Sequence, residues 1–289
     1  MLKGMARNTV YYAMLLIMAF MFAFPVLYML TNSFMSSAEV SRTYDVISGG
    51  VSDKAGQPVT IGFTLIPDRV TLMQYYNVLL RKPKYLLMFW NSIIVTVPVV
   101  VGQTLVASLA AFAFAKLRFP FRDKIFFLYI IIMMMPFQVT LVPNYIMLSR
   151  LDLLGNYWAI ILPGIFSAFG VFLMRQFMML IPDEYCEAAK IDGAGFFRTF
   201  CGIILPQCKG AIASVAVLIF VDNWNMVEQP LIFLRDENMH PLSIFLARIN
   251  SGDIGIAFAC GFLYMLPAIL IFLYGEDYLI EGIQLSGLK

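Results

Sequence analysis

The chain has 289 residues, 61% of them apolar and 13% charged, against roughly 45 to 50% and about 25% in soluble domains. With a mean hydropathy of +0.81 it lacks the charge needed to cover a water-soluble globule, which excludes an ordinary soluble domain, a disordered chain and a coiled coil and leaves a polytopic membrane protein. The formal charge of +2 carries no excess that would draw nucleic acid by counterion release.

Six stretches, at about 10–31, 88–114, 125–148, 157–179, 211–234 and 256–279, reach the ~20 apolar residues that a membrane helix needs. Backbone amides must be satisfied inside lipid, and runs this long and uniform are not barrel strands, so the expected fold is all-α with six transmembrane helices in one transmembrane domain, 1–289. Lys3 and Arg7 precede the first stretch as they would a signal peptide. The run from Val10 to Leu30 is too long for a signal h-region, however, and no small-residue cleavage site follows it, so it reads as a retained helix.

Orientation follows from the basic residues of the short loops. With both termini cytoplasmic, Lys116, Arg118, Arg122 and Lys124, then Arg175, Lys190, Arg198 and Lys209, fall inside. Arg150, Arg235 and Arg248 fall outside. Two segments are then large enough to act in water: an extracellular loop, 32–87, and a cytoplasmic loop, 180–210. In the first, Asp45 to Gly56 reads as a turn or flexible insertion and Val59 to Leu65 as a strand. Cys186, Cys201, Cys208 and Cys260 follow no CxxC spacing and read as small apolar fillers.

The cytoplasmic loop reads PDEYCEAAKIDGAGFFRTFCGIILP over 182–206. Pro182 and Asp183 open a helix, Glu184 and Glu187 place acid in its first turns, and Ala188 and Ala189 favour it. Gly193 supplies the backbone freedom to end that helix and turn into a second one, whose apolar stripe is Phe196, Phe197, Phe200 and Ile204 and which Pro206 closes. Two short helices joined at a glycine make a compact lever. Glu187, Ala188, Ala189, Gly193, Ile203, Leu205 and Pro206 stand at the spacing of the EAA motif, and the loop resembles that of ABC importer permeases. The resemblance is closest to the carbohydrate-uptake branch, in particular the maltose-system permease with the shorter N-terminus. It extends through Asn91 and Ser92 at the opening of the second span, Ser108 to Arg122, Pro136, Pro143, and the pair Trp224 and Asn225. The tail, Leu279 to Lys289, and the insertion near 43–58 depart from the pattern.

The resemblance implies a type I importer permease of a bacterial or archaeal cytoplasmic membrane. Its partners would be a second permease subunit, two ATPase subunits and an extracellular solute-binding protein. Transport by alternating access would be coupled through the loop, with Glu187, Ala188, Ala189, Gly193, Leu205 and Pro206 as the ATPase-coupling residues. The solute would be a sugar or oligosaccharide. The alternatives are the same machine for a polyol phosphate or a uronate saccharide and, further off, a secondary transporter.

Charge inside a membrane helix costs on the order of 2.5 to 3.5 kcal/mol on insertion scales, so Asp222 and Glu228 in the fifth span need an account. On a continuous helix Asp222, Asn225, Glu228 and Gln229 share a face with Trp224 at its edge. Carboxylates, amides and an aromatic ring suit sugar hydroxyls and a translocation path, and equally suit contacts with a partner subunit. Pro230 marks a place where that helix can bend. Thr96, Gln103 and Gln138 read as interhelical hydrogen-bonding groups. The chain has no GK dipeptide, hence no Walker A loop, and its only histidine is His240. No catalytic residue, metal site or cofactor is therefore expected, ATP and Mg being bound by the partner ATPase.

Overall fold

A computed structural model of the chain describes residues 2–44, 65–249 and 253–287. The insertion at 45–56 and the strand-like run at 59–65, apart from Leu65, lie outside them. The elements are helices throughout: α1 (Leu2–Asn32), α2 (Ser37–Tyr44), α3 (Met73–Tyr76, continued by a π turn to Arg81), α4 (Pro83–Lys116), α5 (Arg122–Met133), α6 (Phe137–Arg150), α7 (Trp158–Ile165), α8 (Ala168–Leu180), α9 (Glu184–Ile191), α10 (Phe196–Thr199), α11 (Leu205–Gln207), α12 (Lys209–Trp224), α13 (Glu228–Phe233), α14 (Leu242–Ala247) and α15 (Ile254–Gly287). A π turn, Phe200–Ile204, joins α10 to α11. The fold is all-α and polytopic.

Among the described residues, four helical segments are long and apolar enough to cross a membrane unaided: Tyr11–Asn32, Pro83–Lys116, Trp158–Leu180 and Ile254–Glu276. The expected third and fifth spans are not straight helices. In the third, α5 and α6 meet at 101° across Met134–Pro136, because Pro136 offers no N–H to the preceding turn and disfavours helical backbone at Met135. In the fifth, α12 stops at Trp224 and α13 begins only at Glu228. The second span begins at Pro83, ahead of the expected start, and its first residue loses nothing by lacking an N–H.

The chain forms two compact units, Met1–Leu87 with Phe245–Leu266, and Met88–Ile244 with Pro267–Lys289. In the first, α1, α2 and the start of α15 enclose Met35, Val40 and Tyr44. Tyr44 donates to Asn32 Oδ1 at 2.6 Å and shares a 2.6 Å hydrogen bond with Tyr28. In the second, α4, α5, α7, α8, α12 and the loop helices surround one core that includes Val99, Ala111, Phe112, Phe126, Met174, Met178, Phe200, Ile204, Cys208 and Val215. Lipid is as apolar as these side chains, so close packing rather than water exclusion holds such helices together. Gly102 and Gly164 permit it: a Cβ at Gly102 would stand 2.6 Å from Ile165 Cγ1, and one at Gly164 2.9 Å from Val99 Cγ1.

Asn91 and Ser92 do more than open a span. Both are buried on α4. Asn91 donates to the carbonyls of Asn238 and His240, at 2.6 and 3.1 Å, and accepts from Tyr157 Oη at 2.9 Å. Ser92 Oγ accepts the Leu242 amide at 3.0 Å. They pin the 238–242 segment to α4. Cys208 and Cys260 are buried as fillers should be and Cys186 is half-buried, but Cys201 is exposed, which corrects the filler reading for that residue. Thr96 and Gln103 are buried.

Candidate functional site: a two-helix loop and a polar cavity at a helix break

The loop forms the two helices expected of it. The first ends in a hydrogen-bonded cap: Ala194 N donates to Ala189 O at 2.9 Å and Gly193 N to Lys190 O at 3.1 Å. This is a Schellman arrangement, whose residue after the cap adopts left-handed backbone. Gly193 does so, with φ +76. Nothing lies within 4 Å of a Cβ placed there, so conformation rather than space demands glycine. The second helix runs through the π turn past Pro206 to Gln207, and the break falls at Cys208. There α12 departs at 80°.

The stripe expected along the second helix is divided. Phe200 and Ile204 enter the core, Phe200 packing on Phe112 with ring centroids 5.3 Å apart. Phe196 and Phe197 are 71% and 73% exposed and, with Ile191 at 87%, leave an apolar patch on the loop. Glu187, Ala188 and Pro206 are exposed, Leu205 is half-buried and Ala189 is buried. The loop is tied to the end of α4 by Lys116, whose side chain is 3% exposed and donates to Ile181 O and, at 2.6 Å, to the carboxylate of Asp183, whose side chain is 69% exposed. That hydrogen bond and the charge behind it hold the Asp183 carboxyl below the usual carboxylate range. No sequence pattern singled out this tie.

At its other end α12 unwinds. A cavity of about 480 Å³ there is lined by Phe137, Val221, Asp222, Asn225, Met226, Val227, Glu228 and Gln229. Asp222, Asn225, Glu228 and Gln229 thus share one surface, but through a break in the helix rather than along a continuous face. Asn225 Nδ2 caps the end of α12 by donating to Val221 O at 2.8 Å. Glu228 receives Gln138 Nε2 at 3.4 Å from the first turn of α6, so the cavity lies where two broken helices meet. Pro230 sits in the first turn of α13, after the break. Trp224 does not line the cavity: it is 2% exposed, stacked on Phe220 at 5.1 Å and edge-on to Phe89 at 5.8 Å. Ring stacking within the core takes the residue off the polar face.

The open segment is braced by Ser243, whose hydroxyl donates to Met226 O at 2.6 Å. Next to it Leu242 is held by Ser92. Sequence reasoning missed this brace because Ser92 and Ser243 are far apart in the chain and carry no spacing signal. Among the described residues no group of three or more His, Cys, Asp or Glu is placed to hold a metal ion.

A membrane chain with broken spans, a polar cavity at the breaks and a protruding two-helix loop defines a transport permease. The family described as binding-protein-dependent transport system inner membrane component matches residues 72–276; the chain belongs to that family and is a permease subunit of an ABC-type importer, not itself an enzyme. It is 30% identical over 276 residues to the arabinooligosaccharides transport system permease protein AraQ of Halalkalibacterium halodurans, covering 94% of this chain and 92% of that one. It is 34% identical over 202 residues to the sn-glycerol-3-phosphate transport system permease protein UgpE of Pectobacterium atrosepticum, covering 68% and 72%, and 38% identical over 153 residues to the protein of that name from Yersinia enterocolitica, covering 53% and 54%. A chain in the crystal structure of a bacterial ABC transporter involved in the import of the acidic polysaccharide alginate superposes with a TM-score of 0.78 at 22% identity, over 96% of this chain and 97% of that one, which establishes the shared fold. Family membership brings the importer architecture of paired permease, ATPase and solute-binding protein, and a place in the cytoplasmic membrane. It sets aside the secondary-transporter alternative.

Proposed function

We propose that the chain converts movement of its loop into opening and closing of the polar cavity, with both termini and the loop on the cytoplasmic side of a bacterial or archaeal membrane. The observation that carries this reading is the continuity of one element. The loop helix bends at Cys208 into α12, 16 residues long and hence about 24 Å, and α12 ends at the cavity. A displacement of the loop by an ATPase is carried along α12 to Asp222 and to Asn225 at its end, with Glu228 and Gln229 on the far side of the open turn at Met226 and Val227. Glu187, Ala188, Ile191, Phe196 and Phe197 form the surface offered to the ATPase. Gly193 and the Leu205–Pro206 pair set the angle of the helices behind it, and buried Ala189 packs α9 down.

The solute is read as a polyol phosphate or an acidic saccharide in preference to a plain sugar. Support comes from the several relatives named for sn-glycerol 3-phosphate transport, 32% identical in Brucella abortus and 38% in Yersinia enterocolitica. Carboxylates and amides at the cavity accept and donate to hydroxyls. Asp222 and Glu228 repel an anion, so the phosphate or uronate charge is met by the partner permease or the binding protein. A second reading, an arabinose oligosaccharide, is favoured by the relative that matches along 94% of the chain.

The test is uptake into proteoliposomes carrying this chain, its partner permease and its ATPase, with the cognate binding protein supplied. Glycerol 3-phosphate or an oligouronate should stimulate ATP hydrolysis and accumulate inside. Stimulation by neutral arabinose oligosaccharides alone would select the second reading, and accumulation that needs no ATP would overturn the coupling.

A further inference from the structure

The first compact unit holds two adjoining cavities whose walls include no residue of the cytoplasmic loop or of the cavity at the end of α12. One, of about 550 Å³, is an apolar groove whose walls include Met29, Phe258, Gly261, Tyr264 and Met265. The other, of about 350 Å³, is polar and lined by Ser37, Ser41, Gln74, Asn77, Arg81 and Lys82. Tyr44 and Ile254 line both.

Their placement follows the membrane. Ile254 is the first residue of the apolar segment Ile254–Glu276, and Met29 lies one turn from the end of Tyr11–Asn32. From Ile254 to Met265 the helix rises about 16 Å, half of the ~30 Å hydrocarbon thickness. The groove therefore starts at one edge of the hydrocarbon layer and runs to its middle, the depth of one leaflet, with the polar pocket at its head.

The pocket is cationic. Lys82 is partly offset by Asp253 at 3.7 Å, while Arg81 has no ion-pair partner among the described residues. Gln74 Nε2 donates to Ser37 Oγ at 3.3 Å. The amide oxygen of Asn77 is buried and lacks a hydrogen-bond donor, a cost that a ligand hydroxyl would remove.

We propose that these cavities bind one anionic phospholipid with a hydroxyl-bearing headgroup, of the phosphatidylglycerol type. Its phosphate meets Arg81, its headgroup hydroxyls meet Asn77 and Ser41, and one acyl chain lies in the groove against Phe258, Gly261 and Met265. A free phosphate-bearing solute would match the pocket but leave the groove unfilled, and an apolar helix of a partner would fill the groove but leave Arg81 unmatched. Phosphate and one leaflet's length of hydrocarbon together fit a lipid.

The experiment is native mass spectrometry of the assembled importer in detergent, with phosphatidylglycerol and phosphatidylcholine supplied in equal amounts. One phosphatidylglycerol should stay bound in preference. Arg81→Gln should lower that preference about fivefold, one basic residue's worth of attraction to an anionic headgroup. Ile249→Glu, an exposed position on the groove wall whose change does not threaten folding, should lower it as well. The same spectra report whether ATPase and partner permease remain bound, which separates lost lipid from lost assembly. Equal retention of the two lipids, or retention unchanged in both variants, would overturn the proposal. So would displacement of the lipid by millimolar glycerol 3-phosphate, which would give the site to a free solute, or lipid on the isolated chain but none on the assembled complex, which would give the groove to a partner subunit.

Discussion

The two ends of α12 are built on opposite principles. At Cys208 the helix turns by 80°, and the joint is packed: Phe200, Ile204 and Cys208 are buried in the largest core of the second unit. At Asn225 the helix opens between two packed residues, Trp224 and Met226, and its cavity side is held only by single hydrogen bonds from Ser243, Gln138 and the Asn225 side chain. A packed joint transmits displacement because a dense core has few alternative arrangements. A joint made of hydrogen bonds to carboxylates and amides can exchange them for those of a solute at little net cost. The lesson is that one helix serves as a stiff arm with a rigid grip and an adaptable tip.

That contrast can be broken most forcefully at the packed joint. Phe200→Ala should cost about 3–5 kcal/mol, the range for aromatic truncation in a core, and should lower the unfolding temperature of the purified complex while disconnecting ATP hydrolysis from uptake. A full-stability variant with normal uptake would show that the joint is not rigid by packing. Next comes Gly193→Pro, which removes the N–H bonded to Lys190 and forces φ to about −65° where +76° is found, a cost of ~3 kcal/mol or more. Membrane insertion should persist while solute-stimulated ATP hydrolysis no longer drives transport; wild-type uptake would remove Gly193 from the coupling path. Gly193→Ala should show the same defect more mildly, at about 1–2 kcal/mol.

The adaptable end should behave differently. Ser243→Ala removes one bond to Met226 O, worth about 0.6 to 1 kcal/mol in a membrane protein, so assembly should hold while the KM for solute or the uptake rate shifts. Loss of complex formation instead would make the segment structural. The smallest effect is expected at Asp183. Its depressed carboxyl pKa means that the bond to Lys116 adds stability above the ordinary carboxylate range and loses it only as pH falls through the lowered value. Loop stability should therefore be flat from pH 8 to about 5. Asp183→Asn should cost under about 1 kcal/mol because the carboxylate is well exposed, and a stability transition near neutral pH would show that another group governs the tie.

Much of the molecule is legible in the residues themselves. Long apolar runs specify membrane helices because the bilayer leaves the backbone no other way to satisfy its hydrogen bonds. Asp183 to Gly193 specify a short helix and its stop, since dipole, propensity and the left-handed cap are all local. The same local reading overextended the fifth span. A helical wheel assumes a continuous helix, and Pro230, which lacks the N–H that Met226 O would otherwise receive, signals a bend without fixing that the turn opens at Asn225, three residues before Glu228. The wheel sets Trp224 at the edge of the polar face, although its ring packs between Phe220 and Phe89. The spacing makes 196–204 one apolar stripe, yet only the presence of Phe112 and its neighbours decides that Phe200 is buried and Phe196 is not.

What the sequence determined alone is what acts over one or two helical turns or over the width of a bilayer: six apolar runs, an all-α class, a capped loop at motif spacing, and the absence of a phosphate-binding GK dipeptide. Tertiary structure alone decided where spans break, which side chains meet at the cavity, and how Lys116, Ser92 and Ser243 tie distant segments together. Those outcomes depend on pairs such as Ser92 with Leu242, or Gln138 with Glu228, separated by 150 and 90 positions. No local propensity encodes their geometry, because each pair joins segments brought together only by the packing of whole helices.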